Sequence, residues 1–130
     1  MSSESAVITF AKRDFSAALD EVGAARHFAR AVAEDWGIPA DEVVLVVGEL
    51  AANSHRHAQT EFSVSIGYSD ETVLVEVADA SPDFPNVVVP PQNARSGRGL
   101  VIVDRIARSW GTRPRFGGGK TVWVELDANG

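Results

Sequence analysis

The chain has 130 residues, of which 45% are apolar and 23% charged, with a net charge of −6. This is enough for one globular domain over residues 1–130 and too little for two. The sequence has no cysteine for disulfides, thiolate metal sites or cysteine nucleophiles, no apolar run of about 20 residues, and no basic-then-apolar leader. We therefore expect a soluble cytoplasmic protein without a membrane partner.

A short strand and two helices are predicted in the first half of the chain. Residues 6–11, AVITFA, form a β-branched strand segment. From about Asp20 to Trp36 apolar residues recur at helical spacing, and Gly37 is placed to end that helix. A second helix is predicted from about Asp41 to His57, because the acids in its first turn suit the helix dipole.

The second half is predicted to contain two hairpins that flank a loop and a third helix. Residues 62–68 and 72–79 alternate as half-buried strands, and residues 82–96, rich in proline, form a loop. The third helix opens at GRGL and runs to about Ser109, with Leu100, Val103, Ile106 and Ala107 inward. Strands GTRPRF and KTVWVEL close the chain around Gly117–Gly119, glycines that can supply a positive φ.

This order of elements lacks strict βαβ alternation. It predicts an α+β fold in two layers, with a mixed, mostly antiparallel sheet and three helices on one face.

The second helix carries a polar group that invites two interpretations. At 100° per residue, one side holds the apolar positions Val43, Val44, Val47, Leu50 and Ala51. The opposite side holds Glu42, Glu49, Asn53 and Arg56, flanked by Leu45, Val46 and Ala52. This side is either the wet face of an amphipathic helix or a site. An amide oxygen suits Mg²⁺, a carboxylate one turn away can take a proton, and an arginine can meet a phosphate.

Two further segments are open to a functional or a plain structural interpretation. SGRGL, residues 96–100, lets backbone N–H groups approach an anion at a helix start, or is an ordinary loop-to-helix turn. Asp79 ends an apolar strand, where it can accept a hydrogen bond from an exocyclic amine or cap the following turn.

The order of these pieces resembles the Bergerat-fold ATP-binding family of gyrase and the histidine-kinase catalytic domains. The resemblance covers about residues 15–126 and is strongest to the small bacterial anti-sigma-factor serine/threonine kinases. It is carried by VVGELAANSHRHA, VEVADASPDFP, GRGLVIVDRIARSWG and GGKTVWVEL. One box departs from the wider pattern DxGxG, since Asp79, Ser81 and Asp83 stand there, and we expect the backbone to approach adenine differently.

The resemblance implies a role for each motif residue. Asn53 would bind Mg²⁺ at the phosphates of ATP or ADP, and Glu49 would be the general base. Arg56 would contact phosphate and His57 would lie near adenine. Asp79 would accept from the adenine amino group, supported by Thr121. The phosphate-facing loop would comprise Gly97, Arg98, Gly99 and Leu100, and residues 82–96 would form a lid.

The function implied is that of an anti-sigma factor with protein serine/threonine kinase activity. Its partners would be a sigma factor and an anti-sigma-factor antagonist, whose Ser or Thr it phosphorylates; a homodimer is also implied. The alternative is a non-catalytic switch in which ATP changes partner binding without phosphoryl transfer.

Charge adds a third possibility for the partner. Residues 91–120 hold seven basic side chains and one acid, a net +6, which leaves −12 on the rest of the chain. Such a segment meets an anionic partner or balances the acidic remainder. Nucleic acid is disfavoured as that partner, because the segment has few stacking aromatics and the protein is acidic overall.

Overall fold

A five-stranded antiparallel sheet forms one layer of the protein. The computed structural model describes residues 9–57, 60–80, 98–115 and 118–129. The strands lie in the order β1-β2-β3-β5-β4, and every neighbouring pair is antiparallel. Their bounds are β1 Thr9–Phe15, β2 Phe62–Ser69, β3 Thr72–Asp79, β4 Ser109–Pro114 and β5 Lys120–Asp127.

Three helices cover one face of this sheet, as the sequence predicts. They are α1 Glu21–Trp36, α2 Ala40–His57 and α3 Arg98–Ile106. Burial alternates along β3, so that Val73, Val75, Val77 and Asp79 face the helices. The two-layer α+β architecture is confirmed, with an entirely antiparallel sheet among the described strands. None of the described helices is long and apolar enough to cross a membrane.

Three predicted boundaries were wrong because they depend on tertiary contacts: the end of the first strand, the end of the third helix and the start of the strand that follows it. Within the described residues the first strand runs to Phe15 rather than ending at residue 11, because Phe15 is buried against β2 and stacks on Phe62 with ring centroids 5.2 Å apart. Residues 6–8 of the predicted strand lie outside the described residues. The third helix ends at Ile106 rather than Ser109. The Arg108 N–H donates to the Glu125 carbonyl at 2.8 Å and Ser109 already pairs with β5, so the sheet captures these residues.

The first helix ends as predicted. Gly37 has φ 71°, and its N–H bonds the carbonyl oxygens of Ala33 and Glu34. Because a left-handed φ favours glycine, this residue can end the helix without strain.

The inner face of α2 is wider than its apolar stripe predicts. Val46, expected on the flank, is fully buried, and Asn53, expected on the outer side, is only 9% exposed. The helix α2 contacts the sheet, and it also contacts both α1 and α3, so α2 is covered on more than one side. Leu45 remains on the outer surface, 38% exposed. Whether the polar residues of α2 face solvent or line a site therefore depends on the cavity beside them.

We expect Phe15→Ala to lower the free energy of unfolding by about 3–5 kcal/mol, because it empties a buried site. Phe15 is 3% exposed, stacks on Phe62 and meets Phe28 edge to face at 6.1 Å. Phe10, 61% exposed on the same strand, provides the matched control. Its replacement by Ala should change stability by about 0.5 kcal/mol or less in urea denaturation. Equal losses from the two variants would contradict the assigned packing of β1.

Candidate functional site

A small cavity lies between α2 and the adjoining ends of β3 and β5. Its apolar walls are Leu50, Val77 and Val122, and its polar groups come from Asn53, Ser54, Asp79 and Lys120. The cavity measures about 10 Å³, room for about one water molecule. Apolar walls with a few convergent polar groups are typical of ligand sites, although a nucleotide-sized ligand requires this cavity to widen.

Asp79 is the centre of the polar group. It is the last residue of β3 and only 2% exposed. Ser54 Oγ donates to its Oδ2 at 2.8 Å, and Lys120 Nζ donates to Oδ1 at 2.9 Å and to Oδ2 at 3.0 Å. These bonds offset the cost of burying the carboxylate and tie α2 and β5 to the end of β3.

Lys120 is the residue that the sequence interpretation missed. Asp79 and Lys120 are register partners on neighbouring strands, so their side chains leave the sheet on the same face. The available signal was period two: Lys120 shares its face with Val122, Val124 and Leu126, a buried stripe. A buried lysine at the start of such a stripe requires an acidic partner on the neighbouring strand. The sequence does not say which strand is the neighbour, because the pairing of β3 with β5 is part of the tertiary structure.

Asn53 joins Asp79 at the cavity, as the predicted site requires. Because Asn53 is buried and lines the same cavity, it does not belong to a wet helix face. Glu49 lies one turn earlier on α2 and is half-buried. The i, i+4 spacing puts Glu49 on the same side of α2 as Asn53, although Glu49 does not itself line the cavity.

Thr121 is not brought to Asp79. In the register it stands opposite Ala78 on one side and Arg113 on the other, and alternation turns it to the sheet face away from α2. The expected support of Asp79 by Thr121 is therefore corrected: Lys120 occupies the position that faces the carboxylate.

The glycine turn before β5 packs directly on the Asp79 backbone. Gly118 and Gly119 have φ 111° and 100°, the positive values predicted for this turn. A Cβ built on Gly119 would fall on the Asp79 carbonyl oxygen, whereas one on Gly118 would meet nothing. Gly119 thus permits the close approach that sets Lys120 beside Asp79.

The remaining predicted residues are described in part or not at all. Gly97, the lid at residues 82–96, Ser81 and Gly117 lie outside the described residues. Only the helical backbone is described for Arg56, His57, Arg98, Gly99 and Leu100, the first two at the end of α2 and the others at the start of α3.

Two larger hollows lie elsewhere on the sheet. One of about 290 Å³ is lined by Phe10, Tyr68 and Leu74 among others, and one of about 200 Å³ lies beside Asp14 and Arg115. Neither is lined by a residue predicted for the site. Size alone therefore does not select the candidate site; the convergence of Asn53, Ser54, Asp79 and Lys120 does.

A model of a known protein family matches most of the chain. Residues 15–126 match the model of a family described as "Histidine kinase-like ATPase domain". No curated protein matches the chain.

We expect Lys120→Met to lower the free energy of unfolding by about 3–5 kcal/mol, because it leaves the buried Asp79 carboxylate without its counter-ion. The chain has one other lysine, the exposed Lys12, and Lys12→Met is the matched control. Adding Asp79→Asn to Lys120→Met should recover part of the loss. The measurement is urea denaturation, and equal stability of the two single variants would refute a structural ion pair.

We expect Gly119→Ala to destabilise the protein more than Gly118→Ala. Both changes force a side chain into positive φ at a cost of about 1–3 kcal/mol, but only the first also strikes the Asp79 backbone. Thermal unfolding of the two variants measures the difference. If Gly118→Ala proved the more harmful, the turn would not pack on Asp79 as described.

Proposed function

The chain belongs to the histidine kinase-like ATPase family, and from that premise we propose that it is a protein serine/threonine kinase acting as an anti-sigma factor. As a member of the family it is an ATP-binding domain. Its proposed substrate is a Ser or Thr of an anti-sigma-factor antagonist. Phosphorylation would stop the antagonist from competing for the kinase, which would then hold its sigma factor.

One observation carries the proposal: Asn53 and Asp79, from distant parts of the sequence, line the same buried cavity between α2 and the sheet. An adenine amino group can donate to Asp79 while the base packs on the apolar walls formed by Leu50, Val77 and Val122. The phosphates would then extend along α2 toward Asn53. This arrangement agrees with the roles that the resemblance implies for Asn53 and Asp79, which lie in the first and second of the four motifs.

Asn53 also fits the metal that such a substrate brings. Asn53 lines the cavity, and its side-chain carbonyl is a neutral, hard oxygen ligand of the kind that would hold Mg²⁺. When bound, the ion would neutralise negative charge on the phosphates. The other predicted phosphate contacts are Arg56 and the segment of Gly97, Arg98, Gly99 and Leu100, with His57 near the base.

Glu49 is the proposed general base. It lies one helical turn before Asn53, so it can accept the proton of a Ser or Thr hydroxyl as that oxygen attacks the γ-phosphorus. The new bond joins the hydroxyl oxygen to phosphorus, and the bond to the leaving ADP oxygen breaks. Positioning and charge neutralisation supply most of the catalysis in phosphoryl transfer.

The setting proposed for this reaction combines the composition of the sequence with the same resemblance. We place the protein in the cytoplasm as a single domain over residues 1–130, acting as a homodimer on protein partners rather than on nucleic acid. The segment at residues 91–120 has a net charge of +6, but Lys120 and Arg113 are paired within the fold with Asp79 and Glu76. Its other basic side chains are the ones suited to an acidic partner surface or to the phosphates.

We expect Glu49→Gln to slow phosphate transfer from Mg-ATP to the antagonist by about 10²–10⁴-fold while Mg-ATP still binds. Asn53→Ala should weaken Mg-ATP binding itself, because an oxygen ligand is lost. Glu42→Gln, another half-buried carboxylate of α2, is the matched control and should transfer phosphate normally. Radiolabelled phosphate on the antagonist and calorimetry for Mg-ATP are the two readouts.

No transfer to any antagonist that binds the unaltered protein would defeat the kinase proposal. If Asn53→Ala then abolished a nucleotide-dependent change in partner binding that Glu49→Gln preserved, the protein would be the non-catalytic switch instead.

A further inference from the structure

Lys120 has no role in the function proposed above, although it lines the same cavity. Its side chain is 4% exposed and that of Asp79 is 3% exposed, so both charges are withdrawn from water. A buried ion pair is weak evidence for stability, since well-packed apolar residues often replace such pairs without loss. The place of Lys120, at the carboxylate that adenine is expected to contact, suggests a role in binding.

The hydrogen bonds at Asp79 show that a new donor must compete for this carboxylate. A carboxylate offers about four acceptor positions. Lys120 takes one on each oxygen and Ser54 takes another on Oδ2, so these bonds leave at most about one position, and Asp79 has a further interaction besides. An incoming amino group therefore competes with the present donors, and Lys120, which holds two of these bonds, is the partner that can release one and stay paired.

An N–H group of the Lys120 ammonium that is released from Asp79 becomes available to donate to a ligand. The ammonium carries three N–H donors, and the bonds described for Nζ are the two to Asp79. After giving up one of these, Nζ remains bonded to the other oxygen and has two N–H groups for a ligand. The pair then presents an acceptor and a donor side by side, about 3 Å apart, at the floor of the cavity.

We propose that Lys120 is a base-contacting, specificity-determining residue that donates to the ring nitrogen N1 of adenine while Asp79 accepts from the neighbouring amino group. The amino group and N1 are adjacent on the edge of adenine, one a donor and the other an acceptor. The Asp79–Lys120 pair is complementary to that edge. This inference rests on the proposed function only in that the cavity binds ATP; it does not need phosphate transfer.

The test compares Mg-ATP with Mg-1-deaza-ATP, in which a C–H replaces N1. The unaltered protein should bind 1-deaza-ATP about tenfold more weakly, as expected for loss of a hydrogen bond to a charged group. In Lys120→Met the ratio of the two dissociation constants should fall to about 1, whereas Lys12→Met should keep the ratio of the unaltered protein. The ratio isolates the N1 contact from any general change in affinity.

Equal binding of both nucleotides to the unaltered protein, or an unchanged ratio in Lys120→Met, would overturn the assignment. Binding of neither nucleotide to the unaltered protein would defeat the proposed function as well, so the two failures are distinguishable.

A second measurement on the unaltered protein is independent of whether Lys120→Met folds. Because Lys12 and Lys120 are the only lysines, lysine labelled at Cε with ¹³C gives two NMR signals. We expect the Lys120 signal to move with Mg-ATP by clearly more than with 1-deaza-ATP, while the Lys12 signal stays in place. Identical shifts with both nucleotides would contradict a contact at N1.

Discussion

The buried ion pair between Asp79 and Lys120 is the interaction on which the site depends. It joins the last residue of β3 to the first residue of β5, and Ser54 adds a bond from α2 to the same carboxylate. Three elements therefore meet at one charged group that is almost fully withdrawn from bulk solvent. Removing one partner from such a group costs far more than the pair itself contributes, so the arrangement is held as a unit.

The same pair lines a cavity that is small and only partly polar. Asp79 and Lys120 share its lining with Asn53, Ser54 and three aliphatic side chains, and its volume of about 10 Å³ leaves room for about one water molecule. A ligand that enters must exchange its own hydrogen bonds for those of the lysine. The affinity of a ligand then depends on whether it offers a donor for Asp79 and an acceptor for Lys120. This requirement makes the site specific.

Much of the fold could be predicted from local patterns, and the exceptions share one cause. Period two gave β2 and β3, helical spacing gave α1 and α2, and Gly37 ended α1 as predicted, because these signals are local. The end of β1, the end of α3 and the burial of Val46 depend on partners distant in sequence, namely Phe62, Glu125 and the neighbouring helices. For the site, the sequence motifs predicted that Asn53 and Asp79 belong to one site, and both line the same cavity. The face of Thr121 and the role of Lys120 required the register of β3 against β5, which no local pattern contains.

The central claim is that a nucleotide occupies the cavity between α2 and the ends of β3 and β5. A crystal structure with Mg²⁺ and a non-hydrolysable ATP analogue tests it most directly. We expect a purine against Leu50, Val77 and Val122, its amino group on Asp79, and the metal at Asn53. A nucleotide bound in the hollow beside Phe10 and Leu74, with the Asp79–Lys120 pair undisturbed, would contradict the account.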